Sequence, residues 1–171
     1  MNAILKPNRP SMTAKAIVDD QIAITDTLRP TPFNLRAQLL EQGRTETVLA
    51  ATEDLSARLK VYASGGENEL HSHPTEDHVF VLLQGSARFY GPDGETLDLS
   101  AMEGLMMPRG MFYRFHATSK ENLVMLRVGT PNFQKQAKDD RLGMDGKPLI
   151  GDSKENRTQD VVFRDGAFFG S

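Results

Sequence analysis

The 171-residue chain carries a formal charge of -3, 39% hydrophobic residues and no cysteine, the profile of one ordinary globular domain without the clustered Lys and Arg that nucleic acid or an anionic membrane surface requires. The absence of cysteine excludes disulfides, thiolate metal sites, Fe–S clusters and Cys nucleophiles, so any metal must be held by nitrogen and oxygen. The longest apolar stretch, Val79 to Leu83, is far shorter than the roughly 18 residues of a membrane span; with no apolar signal region near the start, the expectation is a soluble, cytoplasmic protein that binds a small molecule and neither nucleic acid nor membrane.

Residues 1–30 alternate polar and apolar without helical period and end at Arg29-Pro30-Thr31-Pro32, where the prolines impose extended or turn geometry. This reads as an arm. In Phe33 to Gln42 the spacings of Phe33, Ala37 and Leu40, and of Leu35 and Leu39, predict one short helix closed by Gly43. From Thr45 the character changes to short apolar or alternating runs such as LSARLKVYAS, HVFVLLQGSARFYG, MFYRFHAT and LVMLRVGT, bounded by Gly, Pro, Asp or Ser. Such runs without intervening helices predict an all-β antiparallel sandwich or barrel. Gly91-Pro92-Asp93-Gly94 is its clearest hairpin turn. After Pro131 a polar, Gly-containing stretch is expected along the surface. The final VVFRDGAFFG is apolar again and is expected to dock on the barrel or on a second subunit. The organisation expected is therefore arm and helix over 1–44, barrel over 45–130 and tail over 131–171.

All four histidines lie between 71 and 116, and three of them fall in HSHPTEDH. His71 and His73 are two apart, so on a strand both leave the same face. Pro74 and Thr75 make a bend, after which His78 opens the next strand in phase with Phe80 and Leu82. One divalent transition metal per chain would satisfy all three imidazoles together, where separate burial would demand a partner for each. The metal ligands expected are His71, His73 and His78.

These residues carry a family resemblance. GGENELHSHPTEDHVFVLLQG resembles the first motif of the cupins, G-x5-H-x-H-x3-4-E-x6-G, with Gly65, His71, His73 and Gly85 in register and His78 where the family has Glu. EGLMMPRGMFYRFHAT resembles the second motif, G-x5-P-x-G-x2-H-x3-N, through Pro108 and Gly110. There the family's opening Gly falls at Met102, its His at Tyr113 and its Asn at Ala117. The resemblance covers about residues 45 to 130. It implies a single double-stranded β-helix barrel of the jelly-roll type and a homodimer.

Tyr113 is inward by the motif register and is the candidate catalytic residue: its phenol can ligate a ferric ion, hydrogen-bond a metal-bound water or act as acid or base, or it can simply line the cavity. His116, three residues on, belongs to the opposite sheet face unless a bulge intervenes. Glu76 and Asp77 are expected to face solvent. Met106, Met107 and Met111 read as pocket lining or core filling. Arg88 and Arg114 are the candidate clamps for a carboxylate, with Arg114 facing away from Tyr113. The chemistry expected first is an iron-dependent dioxygenase cleaving a small carbonyl or aromatic-derived substrate, Fe(II) being favoured over Zn, Ni, Mn or Cu. The alternatives are a redox-neutral isomerase, lyase or hydrolase and a non-enzymatic small-molecule-binding protein.

Overall fold

The structure, a computed structural model, describes residues 8, 10, 16, 17, 19, 20, 30–63, 68–130, 141–149 and 159–170. Gly65 and most of the expected arm lie outside the described residues.

Alternation of side chains along extended runs builds two facing sheets. The larger contains β2 (Arg44–Ala51), β3 (Ser56–Tyr62), β10 (Leu123–Gly129), β5 (His78–Gln84) and β8 (Gly104–Met107), hydrogen-bonded in that order and antiparallel throughout. The smaller contains β7 (Thr96–Ser100), β6 (Ser86–Tyr90) and β9 (Arg114–Ala117). A bridge between His71 and Tyr113, with N–H to C=O distances of 3.1 and 2.9 Å, links it to β4 (His71–Ser72), which pairs with β11 (Leu142–Gly143). This is an all-β double-stranded β-helix. Gly85, at φ +78°, makes the β5–β6 turn, where a Cβ would come 2.6 Å from the Ser119 hydroxyl. Between the sheets pack Tyr62, Phe80, Leu82, Phe89, Phe115, Leu123 and Met125.

The expected helix over Phe33 to Gln42 is instead a strand, β1 (Ala37–Gln42), paired antiparallel with β12 (Val162–Phe169). Its apolar spacing suits a helix locally, but distant residues supply strand-type hydrogen bonds. The buried Asn122 amide accepts from the Leu40 N–H at 2.6 Å and donates to the Leu40 carbonyl at 3.0 Å, so one side chain does the work of a neighbouring strand. The β1–β12 pair covers the outer face of the large sheet, where Leu40, Phe163 and Phe169 meet Leu49, Leu59, Val61 and Val124. Of the polar stretch after Pro131, the described residues 144–148 are exposed as expected, while β11 joins a sheet beside His71.

Candidate metal centre

The inner face of the large sheet changes character along its strands. At one end Tyr62, Leu82, Leu123 and Met125 are apolar; at the other, in the same phase, stand Arg58, Lys60, Arg127 and His78. The histidines come from β4, the bend after it and the larger sheet: β4 carries His71, the bend carries His73, and His78 opens β5. Their rings form a chain, with centroids 5.1 Å apart for His71 and His73 and 4.5 Å for His73 and His78. Tyr113 lies against them, its ring centroid 4.8 Å from that of His71 and its hydroxyl 3.3 Å from His78 Nδ1.

The bend is fixed from outside the cluster. Gly110 of the Pro-x-Gly turn donates its N–H to the His73 carbonyl at 2.9 Å. Asp77 receives the Arg109 N–H at 2.8 Å and its guanidinium at 2.5 Å, while the Asp77 backbone pairs with Thr130. The two motif segments are therefore locked to each other. Gly129 makes room for the ring of His78, whose Cδ2 would lie 2.9 Å from an added Cβ.

Donor chemistry settles one tautomer. His71 Nδ1 lies 2.7 Å from the Glu69 carbonyl, which can only accept, so Nδ1 carries the proton and the buried Nε2 presents a lone pair. That Nε2 and the equally buried Nδ1 of His73 have no hydrogen-bond partner among the described residues. His78 Nε2 contacts both the Arg127 guanidinium, which can only donate, and the Glu76 carboxylate, which can only accept, while its Nδ1 faces the Tyr113 hydroxyl, which can do either.

Glu76, expected in solvent, is 5% exposed, with its carboxylate 2.8 Å from His78 Nε2 and 2.5 Å from Arg127. The physical reason is the buried guanidinium: Arg127 on β10 needs a counter-charge, and the bend carries Glu76 inward to supply it. Ligand atoms of His73, Glu76 and His78 lie within 4.8 Å of one another, a grouping able to hold a metal ion. Burial favours a neutral ring at all three histidines. It lowers His71 and His73 well below the usual range, the charge of Arg141 adding at the first and His78 at the second, and with Arg127 it takes His78 down to about 3. Burial raises the Tyr113 phenol above its usual value. It would also raise Glu76, but Arg127 and the His78 hydrogen bond outweigh it and keep the carboxylate ionised.

The remaining expected residues separate cleanly. His116 lies on the other face, its ring centroid 5.3 Å from that of Tyr90. Arg88 is forked onto Asp98 at 2.7 Å on an exposed face, and Arg114 sits over the Tyr90 ring, so neither clamps anything in the barrel. Met107 is buried inside, while Met106 and Met111 are exposed. The sequence reading missed Arg58, Lys60, Glu46, Arg127 and Arg141. For three of these a signal existed: Arg58 and Lys60 alternate in phase with Tyr62, and Arg127 with Met125 and Leu123, so the period that fills the core also points these cations inward.

A double-stranded β-helix that gathers imidazoles and a carboxylate defines a barrel protein with a residue grouping able to hold a metal ion. Residues 58–129 match the family model for the cupin domain, and that stretch has the cupin fold. The Bacillus subtilis (strain 168) protein YdbB, described as uncharacterized, is 33% identical over 66 residues, which are 39% of this chain and 57% of YdbB. This chain thus spans little more than half of that relative. Among solved structures, KdgF from Halomonas sp. aligns with a TM-score of 0.48 at 21% identity, over 52% of this chain and 81% of KdgF. The Schizosaccharomyces pombe Cnp3 cupin domain aligns with a TM-score of 0.49 at 18% identity, over 58% of this chain and 72% of that domain.

Proposed function

We propose that the chain is a mononuclear metal-dependent enzyme acting on a small organic molecule, with His71, His73 and His78 holding the ion and Glu76 at its side. The observation that supports this most is the pair of buried, unpartnered imidazole nitrogens, His71 Nε2 and His73 Nδ1. Such groups are costly unless something takes their lone pairs, and the Glu69 carbonyl behind His71 is the kind of outer partner that orients a ligating imidazole. The donor set of imidazole nitrogens and a carboxylate suits Fe(II) as well as Zn, Ni, Mn or Cu. At His78 Nε2 and Glu76 the chain's own cation, Arg127, stands where an ion would compete with it.

The first chemistry we assign is that of an iron-dependent dioxygenase: a bound Fe(II) would supply open positions for an oxygen-bearing substrate and O2. Tyr113 remains protonated at neutral pH and donates a hydrogen bond to the substrate, and the apolar wall of Phe80 and Met107 keeps water from the reacting atoms. A redox-neutral isomerase, lyase or hydrolase is the second reading. The hydrogen-bonded pair of Tyr113 and a neutral His78 supports it, because the pair can pass a proton without any oxidant. A homodimer and a cytoplasmic setting complete the proposal.

The test is elemental analysis of protein purified without an affinity tag, followed by an oxygen-uptake screen against small carbonyl and aromatic compounds. Close to one transition metal per chain, reduced by His71→Ala, His73→Ala and His78→Ala, is the expected outcome. Metal-free wild-type protein would overturn the reading. Turnover without oxygen consumption would select the redox-neutral reading, and bound metal without turnover would select a binding protein.

A further inference from the structure

Cations outnumber carboxylates on the wall of the barrel mouth among the described residues. Arg58 and Lys60 share Glu46, at 3.0 and 3.2 Å. Arg127 holds Glu76 through Nη2. Arg141, the residue before β11, is the fourth cation, and its Nη1 lies out of solvent with no hydrogen-bond partner. Nη1 of Arg127 and the hydroxyl of Tyr62 are in the same condition.

Strand register brings Arg141 to the histidines. Gly143 lies opposite His71 and Leu142 opposite Ser72, so the next position along that antiparallel ladder, Arg141, comes beside His73. The charge of Arg141 is felt by His71, His73, Tyr62 and Tyr113, and that of Arg127 by Tyr113 and His78. All three donor-bearing residues therefore lie within electrostatic reach of Tyr113. A water molecule can satisfy a buried hydroxyl, but an uncompensated guanidinium calls for an anion. The planar fork of Arg matches a carboxylate in particular, and a phenol adds a third donor to the same group.

From this arrangement we propose that Arg141, with the Tyr62 hydroxyl and Nη1 of Arg127, forms a carboxylate-binding wall, and that the substrate is a small organic acid whose far end lies over the histidine cluster. The placement of that far end rests on the metal-site reading above; the carboxylate wall itself does not. The candidates offered by the sequence pattern, Arg88 and Arg114, serve as controls because both are engaged elsewhere.

The experiment is calorimetric titration of metal-free and zinc-loaded protein with acetate, pyruvate, succinate and benzoate, each compared with its carboxamide. At least one acid should bind wild type while its amide does not. Arg141→Met should weaken that binding by about tenfold or more, Arg141→Lys by less because the fork is lost but the charge kept, and Tyr62→Phe severalfold. Arg88→Met and Arg114→Met should leave affinity unchanged, and zinc content should be equal across the series. Should Arg141→Met fail to fold, Tyr62→Phe and Arg141→Lys still decide the matter. The proposal is overturned if none of the four acids binds, if the amides bind as tightly, or if the Arg141 and Tyr62 variants keep wild-type affinity. Wild type that takes up no zinc yet binds an acid would refute the metal reading alone.

Discussion

The two faces of the five-stranded sheet obey different rules. On the outer face Leu49, Leu59, Val61 and Val124 are buried in an apolar cluster under the β1–β12 pair. On the inner face the same strands bury Arg58, Lys60, Arg127 and His78 beside Leu123 and Met125. Burial of charge is destabilising unless each group is paired, and well-packed apolar residues would serve the fold at least as well. The outer face is thus explained by stability, whereas the inner face carries buried charge that stability alone does not call for, which is what the proposed ligands would meet.

This contrast can be broken experimentally, and the largest effect is expected inside. Arg127→Ala strands the Glu76 carboxylate in a buried setting and should cost about 3–5 kcal/mol in a urea titration. Adding Glu76→Ala should return part of the loss, and a double-mutant cycle measures the coupling. Zinc should raise the melting temperature of Arg127→Ala more than that of wild type, because the ion then meets no competing cation. Full stability in Arg127→Ala would show that the pair is ornamental.

On the outer face Leu59→Ala should cost about 2–5 kcal/mol by the lost transfer energy and the cavity left behind. Metal content and carboxylate affinity should not change, and a loss of either would mean that the two faces are not independent. The smallest effect is expected at Met102. It adopts φ +72° and is 82% exposed, with its N–H on the Leu82 carbonyl at 2.7 Å. A left-handed non-glycine residue costs about 1–2 kcal/mol, and the greater freedom of Gly in the unfolded chain offsets about 0.5–1 kcal/mol of the relief. Met102→Gly should therefore stabilise by at most about 1.5 kcal/mol in the same titration, with the site untouched.

The sequence made legible those features that depend on near neighbours. The strand from His78, the Gly91–Gly94 turn and the spacing of His71, His73 and His78 all follow from local period and local turn chemistry, and the cupin motif even located Met102 where a glycine conformation is required. Features set by distant partners were not legible. β1 was misread because the residues that make it a strand, Asn122 and those of β12, stand 82 and more than 120 positions away. Glu76 was assigned to solvent because its partner Arg127 is 51 residues distant. Arg141 sits in a stretch whose composition speaks only of surface, and the register of a two-residue strand is what carries it inward.

The pairing of β1 with β12 also imposes an order of events during synthesis. Gln38 donates to the carbonyl of Arg164, 126 residues later, so at about 5–20 residues per second the ribosome needs roughly 6–25 s to deliver the partner after β1 has emerged. Every strand of the two facing sheets is available before that moment. The barrel therefore has the means to close while its apolar back is still bare, and for those seconds the nascent chain shows a sticky sheet surface on which a chaperone, or a neighbouring nascent chain, can settle before the last strand arrives.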